Sequence, residues 1–97
     1  MRLFHRTTLA PDAVLAVADR FFPLLGLIAR GDERRARGFS GSLGTLRLTV
    51  KSDGGHSTVV EAYTDQVGES RLDKNVKQFF VALHRQADPR HLIEAGY

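Results

Sequence analysis

Apolar and polar side chains alternate along two runs, Thr45 to Lys51 and Ser57 to Asp65, on either side of Asp53-Gly54-Gly55. Leu46, Leu48 and Val50 point one way, and Thr45, Arg47, Thr49 and Lys51 point the other. In the second run Thr58, Val60, Ala62 and Thr64 share one face, and Val59, Glu61, Tyr63 and Asp65 share the opposite one. Successive strand side chains point to opposite faces, so both runs read as half-buried strands of a hairpin. Burial selects the pairing, because a one-residue slip would put Glu61 in the core. A three-residue loop, Asp53-Gly54-Gly55, predicts the pairs Ser52–His56, Val50–Thr58, Leu48–Val60 and Leu46–Ala62. It also sets Glu61 opposite Arg47 on the solvent face, a pair worth roughly 0.2–1 kcal/mol. Gly55 supplies the positive φ such a loop needs.

A helical period replaces the strand period elsewhere. Val14, Val17, Ala18 and Phe21 recur at helical spacing after Pro11, which suits a first turn, and Asp12 complements the helix dipole there. Pro23 ends that helix at about Phe22. Leu72, Val76, Phe79, Phe80, Leu83 and Ala87 form the apolar stripe of a second, longer helix. Ser70 is its expected N-cap, with Asp73 three residues later completing a capping-box variant, and Asp88-Pro89 stops it. Arg2 to Thr8 reads as a strand with Leu3 and His5 on one face and Phe4 and Arg6 on the other. Leu24 to Arg30, short and apolar after a proline, reads as a buried strand. Gly31 to Gly38 reads as a polar excursion, either a loop or a frayed turn, and Phe39 to Gly44 as a glycine-punctuated approach to the hairpin. Leu92, Ile93 and Tyr97 give the tail apolar surface to dock.

The predicted order is β-α-β-β-β-α in one small α+β domain spanning residues 1–97. Each helix has one apolar stripe to hide, so a largely antiparallel sheet with both helices on one face is expected. In architecture this is similar to the TATA-box-binding-protein-like or helix-grip shape, or to a ferredoxin-like plait lacking a strand. No motif ties the chain to a named family.

Composition narrows the function classes. There is no cysteine, which excludes disulfide and thiolate chemistry and fits a reducing compartment. The N-terminal stretch is too interrupted for a secretory signal. The longest apolar run, Phe21 to Ala29, contains Pro23 and Gly26 and falls far short of the roughly 20 residues of a membrane span. A cytoplasmic protein is expected. The net charge of +3 is unevenly spread: residues 1–51 carry nine Lys/Arg against four Asp/Glu, and residues 52–97 carry five against seven. That asymmetry suits an anionic partner or charge-complementary self-association.

Candidate chemistry is sparse. His5, His56, His84 and His91 form no metal-ligand spacing, and His84 with Asp88 one turn later is an ordinary pair near a helix end. Gly38, Gly41 and Gly44 recur every three residues, but neither a P-loop nor a nucleophile elbow is present. Arg30, Arg34, Arg35 and Arg37 form a candidate anion contact, diluted by Asp32 and Glu33. Phe79, Phe80, Leu83 and Leu48 would line an apolar pocket between sheet and final helix. Arg47, Thr49, Glu61 and Tyr63 would form an interface on the open face of the hairpin. No catalytic set converges and no cofactor motif appears, so a non-enzymatic interaction domain is expected. Its expected partner is a second copy in a homodimer or another protein. The alternatives are a small apolar ligand, and nucleic acid bound through the Arg30–Arg37 loop.

Overall fold

The computed structural model describes residues 1–31 and 33–88. The chain runs β1 (Arg2–Thr7), α1 (Pro11–Phe21), a 3-10 turn (Pro23–Leu25), β2 (Ile28–Ala29), β3 (Ala36–Gly41), β4 (Gly44–Ser52), β5 (Thr58–Thr64) and α2 (Arg71–Ala87). The five strands form one sheet in the order β1-β5-β4-β3-β2, and every neighbouring pair is antiparallel. The α+β class and the antiparallel sheet are as expected. The tail, including His91, Leu92, Ile93 and Tyr97, lies outside the described residues.

The sheet order explains the job of α1. Strands β1 and β2 are the two edges, so α1 must carry the chain across the sheet from one edge to the other. It does so over β4, while α2 lies against β1 and β5 and touches α1. Both helices present the predicted stripes: Val14, Val17 and Ala18 from α1, and Leu72, Val76, Phe79, Phe80 and Leu83 from α2, are buried. Opposite them the sheet contributes Leu46, Leu48, Val50, Val60 and Ala62. Four phenylalanines lock the centre, with Phe22 5.0 Å from Phe79 and 5.1 Å from both Phe21 and Phe39, ring centre to ring centre. Each fully buried side chain of this kind contributes about 1.5–3 kcal/mol by leaving water.

The hairpin between β4 and β5 has the predicted faces but a different register. Val50 pairs with Val60, Leu48 with Ala62, Leu46 with Thr64 and Ser52 with Thr58. The loop is therefore longer than three residues. Both Gly54 (φ 65°) and Gly55 (φ 47°) adopt left-handed conformations, which draws His56 and Ser57 into the turn. The Asp53 N–H then donates to the Ser57 carbonyl at 2.9 Å. The shift is an even one, so no side chain changes face. It brings two valines together in the core and sets Arg47 opposite Tyr63 and Thr49 opposite Glu61. The Arg47–Glu61 pair expected from the sequence does not form.

Two further expectations are corrected. Leu24 to Arg30 is not a buried strand. Pro23 starts a 3-10 turn closed by Gly26 at φ 85°, and only Ile28–Ala29 reach the sheet, where they pair with Ser40 and Phe39. Phe22 and Leu27 are buried, whereas Leu24 is 86% exposed. The second half of the Gly31–Gly38 segment is not a loop but the start of β3. There Arg37 faces α1 and pairs with Asp19 at 3.0 Å, and also donates to the Ala36 carbonyl at 2.9 Å. A charged residue on the covered face hid this strand from a hydrophobicity pattern.

Candidate functional site

Both helices lie on one side of the sheet, and among the described residues no element covers the other side. Register assigns the residues of that open face row by row. One row crosses four strands, Arg2, Tyr63, Arg47 and Gly38, and continues to Arg30 just after β2, whose N–H donates to the Gly38 carbonyl at 2.7 Å. The next row holds Phe4, Glu61, Thr49 and Ala36. A third holds Arg6, Val59 and Lys51. Arg47, Thr49, Glu61 and Tyr63 all lie on this face. The sequence placed them there because strand alternation alone assigns sides.

The rows are chemically connected. The guanidinium of Arg2 sits 4.6 Å above the Phe4 ring centre and 5.7 Å from that of Tyr63. The Tyr63 hydroxyl donates to Glu61 Oε2. That bond raises the tyrosine's pKa above its ordinary value, partial desolvation adds to it, and the nearby Arg2 charge opposes it. Arg6 pairs with Asp53 at 2.8 Å, and Arg47 lies 3.9 Å from Glu33. The Arg30 Nε–H donates to Ser40 Oγ at 2.7 Å. At exposed positions such pairs are worth about 1 kcal/mol or less, so they leave the cations available to a partner.

A cleft of about 420 Å³ opens beside these rows, lined by Arg34, Arg35, Arg47, Lys51, Thr49 and Glu61 among others. The arginine cluster seen in the sequence is thus divided. Arg34 and Arg35 line this cleft, Arg30 extends the long row, and Arg37 is turned inward onto Asp19. The four do not converge on one anion. Conversely, Phe4, Arg2 and Arg6 belong to the face and were not assigned to it from sequence. Their alternation was visible, but the pairing of β1 with β5 joins segments far apart in the sequence and has no local signal.

The other candidates fare differently. Phe79, Phe80, Leu83 and Leu48 are packed core residues, and none of them lines any of the clefts described here. An apolar ligand between sheet and α2 would have to displace them. The glycine series forms no phosphate cradle. Gly38 and Gly41 belong to β3, Gly44 opens β4, and the Thr45 N–H already donates to Asp65 Oδ1 at 2.9 Å. That bond, with one from Gln66, holds the Asp65 carboxyl below its ordinary pKa.

His5, Arg6, Ser57, His84 and Asp88 line a second cleft of about 450 Å³ at the other end of the sheet. His5 stacks on Phe80 at 4.9 Å. Burial, then the charge of His84, lowers its pKa. Among the described residues no three His, Asp or Glu side chains are grouped to hold a metal. Nor is any described helix long and apolar enough to cross a membrane.

No protein-family model matches this sequence, and no curated protein matches it significantly. The functional reading therefore rests on the open face itself.

Proposed function

We propose that this chain is a non-enzymatic interaction domain that binds an anionic partner on its open sheet face. The observation that carries this reading is the charge of the face. Its rows present Arg2, Arg6, Arg30, Arg47 and Lys51 against one carboxylate within the rows, Glu61, which is already bonded to Tyr63, while Asp53 and Glu33 flank the rows beside Arg6 and Arg47. A flat face with clustered cations raises the local concentration of anions and speeds their encounter. Self-pairing through the same face would oppose like charges. The exposed apolar side chains of this face do not compensate: Phe4 and Tyr63 make one small pair on adjacent strands, and Ile28 lies on the opposite edge, at least about 19 Å from Phe4 across four strand spacings. An anionic partner is thus better supported than a homodimer. The lack of cysteine supports a cytoplasmic setting.

Retention on a generic polyanion such as heparin, measured against salt, tests this. The double variant Arg47→Glu/Lys51→Glu should lose retention. Lys74→Glu/Arg85→Glu, exposed substitutions on α2 with the same change in net charge, should keep most of it. Equal losses would show a nonspecific charge effect and refute the assignment to this face. Sedimentation velocity at working concentration checks the alternative, and a stable dimer unaffected by salt would favour self-association.

A further inference from the structure

We infer that the anionic partner is single-stranded nucleic acid, its bases stacking on Phe4 and Tyr63 while its phosphates run along the arginine row. This rests on the anionic-partner reading and goes beyond it, because charge alone would suit any polyanion.

Three features point to an occupant with planar rings as well as charge. First, two aromatic rings stand outward on adjacent strands, Phe4 54% and Tyr63 37% exposed. Exposed aromatics on a sheet platform with neighbouring arginines are how proteins hold unstacked bases, since every base offers a π-face. Second, the ring faces already accept a flat, delocalised group. The Arg2 guanidinium lies over Phe4 and reaches Tyr63. An incoming base takes that position, and Arg2 exchanges a ring contact for a charge-assisted hydrogen bond to phosphate. Third, the row has a bare floor toward its Arg30 end. Gly38 puts no side chain between Arg47 and Arg30, and its position would place a Cβ only 3.4 Å from the Arg30 carbonyl oxygen. A backbone can lie flat there with guanidiniums on both sides.

These features also discriminate among polyanions. An acidic peptide supplies carboxylates but no regular series of rings. A duplex hides its base faces in its own stack and offers only phosphates. Single strands present both groups along one chain. The cleft lined by Arg34, Arg35, Arg47 and Lys51, four cations against Glu33 and Glu61, adjoins the aromatic pair and extends the path of the strand.

Fluorescence anisotropy with a labelled ten-nucleotide single strand tests this. The comparison ligands are an abasic strand of equal length, a duplex and poly-glutamate. The single strand should bind most tightly. With about four phosphates neutralised, its affinity should fall roughly 50-fold between 50 and 200 mM salt. Phe4→Leu should weaken single-strand binding by about tenfold or more, leave abasic-strand binding unchanged, and be rescued by Phe4→Tyr. Both substitutions are made at the exposed edge position 4, and circular dichroism checks that each variant folds. Equal affinity for the abasic strand, or tighter binding of duplex or poly-glutamate, would overturn this inference while leaving an anion-binding face intact. Loss of binding to every polyanion, heparin included, would overturn both.

Discussion

The junction between β5 and α2 gives the sharpest test of how the fold is held. Asp73 is fully buried in the first turn of α2. Its Oδ1 accepts from the Thr64 hydroxyl at 2.7 Å, and its Oδ2 accepts from the Ser70 hydroxyl at 2.8 Å and the Ser70 N–H at 3.4 Å. The Asp73 N–H donates back to Ser70 Oγ at 3.1 Å, closing the capping box. Burial alone would push the carboxyl's pKa up, but the bonds from Thr64 and Ser70 outweigh it and hold it below the ordinary range.

Asp73→Ala removes the carboxylate that accepts from the Thr64 and Ser70 hydroxyls and leaves both without that acceptor, while the Ser70 N–H keeps its 3.1 Å bond to the Gly68 carbonyl. Ser70 Oγ still caps the backbone N–H of residue 73, so the cost comes from the unmet part-buried hydroxyls, about 1–3 kcal/mol, and a net loss of about 2 kcal/mol is expected. At a urea m-value of about 1.2 kcal/mol/M, the midpoint should fall by about 2 M. Asp73→Asn keeps one acceptor and should lose about half as much.

The pH dependence follows from the direction of the shift. The unfolded chain binds a proton here before the folded one does, so this contribution is complete above about pH 5 and is lost as pH falls through about 4 and below. Urea melts followed by circular dichroism at pH 7 and pH 3.5 measure both effects. A loss under about 0.5 kcal/mol at pH 7 would mean that desolvation cancels the network, and the reasoning would fail.

Three other outcomes are expected. Glu61→Gln should lower the Tyr63 pKa, because the acceptor that holds its proton loses its charge; ultraviolet titration of the phenol reads this directly. Gly44→Ala should cost about 1–3 kcal/mol, because φ is 132° there and a Cβ would come within 2.6 Å of the Asp65 Oδ1 that holds the Thr45 amide; thermal melts check it. His5→Phe should flatten the stability profile between pH 7 and 5. The folded state disfavours charged His5, so wild type gains stability as pH rises through its lowered pKa toward 6.5, and phenylalanine keeps the Phe80 stack without that dependence.

Local periodicity settled much of this protein without tertiary information. The stripe Leu72–Val76–Phe79–Phe80–Leu83 and the Ser70–Asp73 cap defined α2, because a helix's burial and its first-turn hydrogen bonds are written within a few residues. Alternation put Arg47, Thr49, Glu61 and Tyr63 on one face even though the register was shifted, because an even shift preserves sides. Strand β3 was illegible, since its inward residue Arg37 is charged and only the packing of α1 brings Asp19 to meet it. The candidate site was half legible for the same reason. Its β4 and β5 residues come from one hairpin, whereas Phe4, Arg2 and Arg30 join them only through pairings across the whole sheet. Those pairings depend on which strands neighbour one another, a choice made by burying both helices on one side, and that choice also turned a scattered set of arginines into a row.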